Sequence, residues 1–189
     1  MTRAVIDSHM TFSEALDGSV APDEVVAMLV TLDIQYFGFD GNIHAGQIVV
    51  HKDLQGELAN IFKQLLLEKF PIYKAAPVVA YEWDDHTSIR DNNTSGFNYR
   101  NVFDTHQLSY HAYGRAIDIN PLVNPYVTKG GKTRPIGPAY NPDAQGAIRD
   151  GDKIVNLFLE RGWEWGGHWK DKHGYVDYQH FQKPTLERM

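Results

Sequence analysis

Apolar residues recur with a helical period in three parts of this 189-residue chain. Between residues 53 and 70 they return every three to four positions, which predicts an amphipathic helix with Asp53 as its N-cap and Pro71 at its end. A shorter helix is predicted at 22–30, where a proline is followed by two acids. Another is predicted at 152–161.

Other segments have the short apolar runs that are typical of β-strands. Residues 34–39 and 46–50 flank the turn sequence Asp40-Gly41-Asn42 and predict a β-hairpin. Further strands are predicted at 78–83, at 116–119 and around His180. Because helices and strands mix without a regular strand–helix alternation, the pattern favours an α+β fold.

Two polar stretches break this pattern. Residues 84–101 are rich in Asp, Asn, Ser and Thr, and residues 120–142 are rich in proline and glycine, so both predict irregular structure. A long ordered loop in a compact domain is often functional. We expect one structural domain, in which residues 1–74 form a hairpin and helices that pack on a core formed by 75–189.

Composition excludes several classes of protein and site. The chain is 42% hydrophobic and 22% charged, as in an ordinary globular protein, and it has no cysteine for a disulfide or a thiolate site. Its net charge of −6, with no basic run, argues against a nucleic-acid partner. The sequence has no apolar run of about 18 residues, so it predicts no membrane span. The N-terminus lacks the apolar core of a signal peptide. We expect a monomer.

The candidate chemistry lies in two motifs that are far apart in the sequence. His111 and Asp118 stand on either side of a glycine, and His180 lies in the segment Asp177-Tyr178-Gln179-His180-Phe181. Two imidazoles and one carboxylate suit a divalent metal, zinc above all, with a fourth position left for water. Such an ion lowers the pKa of water from about 15.7 to about 7. Nine histidines make one His–Asp pair a weak signal by itself.

A general base is also needed, and Asp177 is the nearest candidate in sequence. In a single strand, positions 177 and 180 would point to opposite faces of the sheet. A bulge or a helical turn between them would bring Asp177 towards the metal. An alternative is that Asp177 only caps a turn.

The motifs resemble one known family when they are taken in order. They are Ser-x-His-x-x-Gly-x-Ala-x-Asp at 109–118, Trp-Gly-Gly-x-Trp at 165–169 and Asp-x-x-His-Phe at 177–181, with Ser-Gly-Phe-Asn-Tyr-Arg at 95–100 upstream. This order is similar to that of the VanY-type D-alanyl-D-alanine carboxypeptidases and the related L-alanyl-D-glutamate endopeptidases, over roughly residues 75–182. The resemblance implies their hedgehog/D,D-peptidase fold, a small central antiparallel sheet flanked by helices.

The resemblance implies a role for each matching residue. His111, Asp118 and His180 match the ligands of one Zn²⁺ ion. Asp177 matches the acid that works as general base. Arg100 matches, more loosely, an arginine that binds the substrate carbonyl and stabilises the oxyanion as it forms.

Other residues stay open as alternatives or as candidates for substrate contact. Arg115 and Arg90 are alternatives to Arg100. Tyr99, Ser109 and His168 are candidate substrate-binding residues. For Ser109 the other interpretation is that its hydroxyl positions the loop that carries His111.

The implied activity is hydrolysis of peptide bonds in peptidoglycan stem peptides. Alternatives are an endopeptidase that cuts between L-Ala and D-Glu, and a zinc-containing binding module, as in the hedgehog signalling domain of the same fold. A purely structural zinc domain is a third alternative, and it would lose its fold without metal. The implied place is the bacterial periplasm, cell envelope or exterior, although a cytoplasmic or phage-encoded protein also agrees with the sequence.

Overall fold

The structure is a computed structural model that describes residues 4–103, 105–137 and 139–184. It is an α+β domain with several small sheets, as the mixed pattern predicts. The helices are α1 (Phe12–Ala15), α2 (Asp23–Val26), α3 (Gln55–Leu67), α4 (Asp85–Arg90), α5 (Lys153–Leu159) and α6 (Lys170–His173). Among the described residues, no helix combines the length and apolarity that crossing a bilayer requires.

Within the described part of the chain, the strands form four small sheets. They are β1 (Val5–Ile6), β2 (Leu29–Phe37), β3 (Ile43–His51), β4 (Lys74–Ala75), β5 (Asn93–Thr94), β6 (Ala116–Asp118), β7 (Tyr126–Val127), β8 (Thr133–Arg134), β9 (Glu164–Trp165), β10 (Val176–Asp177) and β11 (His180–Gln182). The strand orders are β1-β3-β2, β4-β5, β6-β11-β9 and β10-β7-β8. The last two sheets carry the chemistry predicted from the sequence, and both are antiparallel.

One hydrophobic core joins the N-terminal and C-terminal parts of the chain. Leu58, Ile61 and Phe62 on α3 pack in the same cluster as Ile117 on β6 and Phe181 on β11. The large apolar face of α3 is what its helical period predicts, and burying such residues stabilises each by about 1.5–3 kcal/mol. The sheet that holds β6 and β11 is therefore anchored on a rigid core.

The predicted hairpin is confirmed, and its second strand supports the site region. β2 and β3 pair in antiparallel register around the turn at 38–42. The backbone N–H of His51 donates to the carbonyl of Gly114 at 2.9 Å, and the N–H of Phe97 donates to the carbonyl of Val49 at 2.8 Å. These bonds hold two site-forming loops against the end of β3.

Several local predictions were wrong. The predicted strand at 78–83 is a 3₁₀ turn at Val78–Tyr81, because Pro77 starts it and Glu82 ends it in a left-handed conformation. Asp53 does not cap α3; instead His51 accepts a hydrogen bond from the backbone N–H of Asp53 and caps a 3₁₀ turn in front of the helix. The helix predicted at 22–30 ends at Val26, and β2 begins at Leu29.

The two polar stretches also contain regular structure. Within 84–101, Asp84 caps α4 by accepting from the backbone N–H of Thr87, and β5 follows. Within 120–142, β7 and β8 form a short hairpin that pairs with β10. The proline- and glycine-rich segment is therefore part of a sheet and not only a loop.

Candidate metal centre

Strand pairing brings two of the three predicted ligands together. β6 and β11 are antiparallel neighbours, and Asp118 lies directly opposite His180 in their register. Residues directly opposite each other on paired strands project to the same face, so their side chains meet. The third predicted ligand, His111, lies in the 3₁₀ turn Tyr110–Tyr113, which begins when the Ser109 hydroxyl accepts from the backbone N–H of His111 at 3.3 Å.

Gly114 turns the chain between His111 and Asp118. It ends the 3₁₀ turn in a left-handed conformation with φ 63°. A Cβ atom there would also lie 2.6 Å from the backbone nitrogen of His51. Both the conformation and the close approach require glycine, which explains why the motif has one between its two ligands.

The donor atoms of His111, Asp118 and His180 converge in the interior. Nε2 of His111 lies 3.2 Å from Nδ1 of His180 and 3.2 Å from Oδ2 of Asp118, and Nδ1 of His180 lies 2.9 Å from Oδ1 of Asp118. Ligand atoms placed about 2.0–2.1 Å from a tetrahedral zinc ion are about 3.3 Å apart. The triad therefore fits zinc, and its three residues are only 2–7% exposed.

Each imidazole is oriented by a hydrogen bond on its outer nitrogen. Nδ1 of His111 lies 2.5 Å from the carbonyl oxygen of Gly96, and Nε2 of His180 lies 3.1 Å from Oε1 of Gln182. Because both partners are acceptors, each outer nitrogen can donate a proton to its partner and leave the inner nitrogen to bind a cation. Nε2 of His111 and Nδ1 of His180 face each other at 3.2 Å, so a cation between them would be held by both.

Electrostatics in the triad also favours a cation at its centre. Burial acts to raise the pKa of Asp118, but His111 and His180 outweigh burial and hold that pKa well below its usual range. Burial acts to lower the pKa of His180, but its hydrogen bond to Asp118 and the charges of Asp118 and Asp177 raise it. Both shifts mean that the buried carboxylate attracts positive charge into this pocket.

Asp177 and His180 lie on different strands. The rule that positions 177 and 180 of one strand point to opposite faces therefore does not apply to them. Asp177 ends β10, residues 178–179 form a turn, and His180 begins β11 in a different sheet. Burial and the charge of Asp118 raise the pKa of Asp177 to about 6, while the charge of His180 opposes them. The Asp177 carboxyl therefore lies within electrostatic reach of the triad.

Three other predicted site residues contact groups outside the triad of His111, Asp118 and His180. Nε of Arg100 lies 3.0 Å from Oδ1 of Asp85, so this guanidinium is ion-paired. Nε2 of His168 lies 2.8 Å from Oδ1 of Asp150 at the surface. Tyr99 packs, half-buried, against a small apolar cluster.

The two alternative arginines are also bound elsewhere. Arg115 donates from Nε to the carbonyl of Lys183 at 3.2 Å, and Arg90 donates to Thr87 within α4 at 3.4 Å. Ser109 caps the His111 turn, which agrees with the positioning role considered for it. None of these contacts by itself assigns a role to Arg100, Tyr99, Ser109 or His168.

Three residues that contact the ligands were not predicted. Gly96 and Gln182 orient the imidazoles, and the ring of Trp169 packs 5.3 Å from the ring of His180 between centroids. Gln182 had a usable signal, since it follows His180 by two positions in a strand and must share its face. Gly96 acts through its backbone carbonyl. Every residue has such a carbonyl, so the residue type at position 96 does not predict the contact.

Comparison with known proteins supports the motif-based resemblance. Residues 104–183 match a family model described as D-alanyl-D-alanine carboxypeptidase. No curated protein and no solved structure matches the chain. The matched segment contains His111, Asp118, Asp177 and His180, and it supports a peptidase. Over these residues the match confirms the resemblance to the VanY-type D-alanyl-D-alanine carboxypeptidase family of zinc peptidases.

Proposed function

We propose that the protein is a zinc-dependent peptidase that hydrolyses peptide bonds of peptidoglycan stem peptides, in the manner of a D-alanyl-D-alanine carboxypeptidase. The observation that carries the proposal is the buried triad of His111, Asp118 and His180 inside the segment that matches the family. One Zn²⁺ ion held there would polarise the scissile carbonyl and make water acidic enough to react at neutral pH.

The residues of the chain supply the remaining steps. Asp177 takes a proton from the attacking water and delivers it to the amine as the C–N bond breaks, so one carboxylate and one amine are formed. Its raised pKa places it close to the operating range of a general base. Arg100 stabilises the oxyanion that forms on the carbonyl oxygen, which requires its guanidinium to turn from Asp85 to the substrate.

Two alternatives stay open. An endopeptidase that cuts between L-Ala and D-Glu needs the same triad and base, and it differs only in where the substrate lies. A non-catalytic binding module needs the metal but no base. The half-buried Asp177 beside the triad favours an enzyme, because a general base has a use at this place and a binding module does not need one.

The biological setting is proposed on the same basis. Stem peptides place the protein in the bacterial cell envelope or among secreted or phage-encoded lytic enzymes, with no nucleic-acid partner. We propose that it works as a monomer. We also propose that residues 1–74 form a hairpin and helices that pack on a peptidase core of residues 75–189.

The proposed function is tested with metal-free protein, added Zn²⁺ and a defined stem pentapeptide, followed by mass spectrometry of the products. We expect release of one D-Ala, loss of release with a chelator and recovery with Zn²⁺. Release of L-Ala together with a tetrapeptide that begins at D-Glu, identified by fragmentation of the product, would select the endopeptidase. Absence of any cleavage by fully metal-loaded protein, with muropeptides tested as well, would favour the binding module.

Gly166 gives a prediction about how Asp177 is positioned. A Cβ atom on Gly166 would lie 2.8 Å from Cβ of Asp177 and would also collide with the Asp177 carbonyl oxygen. We expect Gly166→Ala to destabilise the fold by about 1–3 kcal/mol through overpacking. Because it displaces the proposed base, we also expect kcat to fall roughly 100-fold.

Urea denaturation and steady-state kinetics check both expectations. Gly56→Ala is the matched control, because nothing lies within 4 Å of a Cβ atom at Gly56 in α3. That change should stabilise the protein by roughly 0.5–1 kcal/mol without altering kcat. Equal kinetics for the two variants would show that Gly166 does not position Asp177.

A further inference from the structure

Three polar residues form a row across the sheet β10-β7-β8. Asp177 on β10 lies directly opposite Tyr126 on β7, and Tyr126 lies directly opposite Arg134 on β8. Residues directly opposite each other on neighbouring strands project to the same face of a sheet. The proposed base, a phenol and a guanidinium therefore share one face, in that order.

Tyr126 responds to both of its neighbours in the row. Burial raises the pKa of Tyr126, the charges of Tyr175 and Asp177 raise it further, and the charge of Arg134 opposes them. The Tyr126 hydroxyl thus lies in the fields of the carboxyl and the guanidinium.

A second contact fixes where the Arg134 guanidinium lies. Its Cζ atom is 4.1 Å from the centre of the Phe103 ring. Phe103 belongs to the segment between Arg100 and Ser109, which leads into the turn that carries His111. A cation–π contact holds a guanidinium in place while leaving its N–H donors available. Arg134 therefore lies between the β7–β8 hairpin and the loop that enters the metal centre.

The spacing in the row matches the dimensions of a peptide end. Neighbouring strands are about 4.8 Å apart, so the Arg134 backbone is about 10 Å from that of Asp177, and an extended arginine side chain can cover part of this distance. In a carboxypeptidase substrate the terminal carboxylate lies only one residue, about 3.8 Å, beyond the scissile carbonyl. Contacts of about 3 Å from the base to the carbonyl and from the carboxylate to the cation bring the total to roughly 10 Å. A cation two strands from the base therefore suits that carboxylate.

We propose that Arg134 binds the free C-terminal carboxylate of the substrate, so that the site selects peptides whose scissile bond is the last one. Arginine suits this role because its planar guanidinium can hold a carboxylate through two parallel hydrogen bonds. The Tyr126 phenol, which lies between the guanidinium and Asp177, offers a further donor to the bound residue. The inference rests on the proposed peptidase function and deepens it, because it names the class of bond that is cut.

The test compares a peptide ending in D-Ala-D-Ala as a free acid with the same peptide as its C-terminal amide. We expect the wild-type protein to cleave the acid about 10- to 100-fold faster in kcat/KM, which corresponds to one charged hydrogen-bonded contact. In Arg134→Ala, kcat/KM for the acid should fall by this factor, mainly through a higher KM. The kcat/KM for the amide should stay unchanged. Arg134→Lys should recover part of it.

Lys132→Ala is the matched control, since it removes a positive charge from the same hairpin outside the row. It should leave the preference for the acid unaltered. A readout that does not depend on turnover is the equilibrium binding of both peptides to metal-loaded Asp177→Asn protein, with and without Arg134→Ala. The acid should bind about 10- to 100-fold more tightly than the amide only when Arg134 is present.

The outcomes separate the two proposals. If the wild-type protein cleaves neither peptide, the proposed function fails. If it cleaves both and Arg134→Ala reduces both equally or neither, the peptidase stands and the role of Arg134 is overturned. If Lys132→Ala has the same effect as Arg134→Ala, the preference comes from general charge attraction and the role of Arg134 is also overturned.

Discussion

Asp177→Asn should reduce kcat by a factor of about 10² to 10⁴ while the bound metal remains. The amide has nearly the same shape as the carboxylate but cannot accept the proton of the attacking water. Asp177 is not one of the three converging ligands, which are His111, Asp118 and His180. Loss of turnover without loss of zinc would therefore identify Asp177 as the base and exclude a role in holding the ion.

The measurement combines kcat on a stem peptide, metal content and thermal unfolding of the same sample. Asp150→Asn is a matched control, because Asp150 is an exposed carboxylate whose partner is the surface residue His168. It should change neither kcat nor metal content. If Asp177→Asn turns over substrate at the wild-type rate, Asp177 has no part in the mechanism.

The dependence of the hydrolysis rate on pH should follow from the protonation of the Asp177 carboxyl. Asp177 acts as a base only when it is deprotonated, and burial with the charge of Asp118 raises its pKa. The wild-type rate should therefore fall as the pH decreases through the pKa of Asp177. The residual rate of Asp177→Asn should lack this acid limb. An identical acid limb in both proteins would assign it to another group.

The convergence of His111, Asp118 and His180 was predictable because residue type and spacing indicate a metal site. Only a few side chains bind zinc, and the glycine between His111 and Asp118 is required by a left-handed backbone and a close approach to β3. The strand predictions at 116–119 and around His180 were confirmed, and their pairing brings Asp118 opposite His180. The candidate metal centre thus follows from local rules together with one sheet register.

The parts that were missed depend on contacts between distant segments. The carbonyl that orients His111 comes from Gly96, and no property of a backbone carbonyl is visible in a sequence. The row that joins Asp177 to Arg134 depends on the β7–β8 hairpin pairing with β10, inside a segment whose prolines and glycines predict a loop. Propensity is a weak guide where tertiary pairing decides the backbone.

The error at 78–83 has a different cause. A short apolar run does not distinguish a buried strand from a buried turn by its period. Pro77 and the left-handed Glu82 decide for a 3₁₀ turn, and only Pro77 is a signal in the sequence. In contrast, Asp84 with the backbone N–H of Thr87 is an ordinary N-cap, so α4 was within reach of prediction.

His180→Ala should lower zinc affinity by at least about 100-fold and abolish turnover at sub-stoichiometric zinc. The change removes one of three residues whose ligand atoms all lie within 4.8 Å of one another. Gln182→Leu tests the outer hydrogen bond on Nε2 of His180, and the loss of such partners costs about 10- to 100-fold in metal affinity. The two variants should therefore form a graded series below the wild-type protein.

Competition with a chromophoric chelator measures this series, and thermal unfolding with and without Zn²⁺ provides a second readout. Zinc that binds only the folded state should raise the melting temperature of the wild-type protein, less that of Gln182→Leu and least that of His180→Ala. His168→Ala is the control, because His168 is an exposed histidine paired with Asp150. Wild-type affinity in His180→Ala would remove His180 from the ligand set, and with it the pairing of β6 and β11 as the basis of the metal centre.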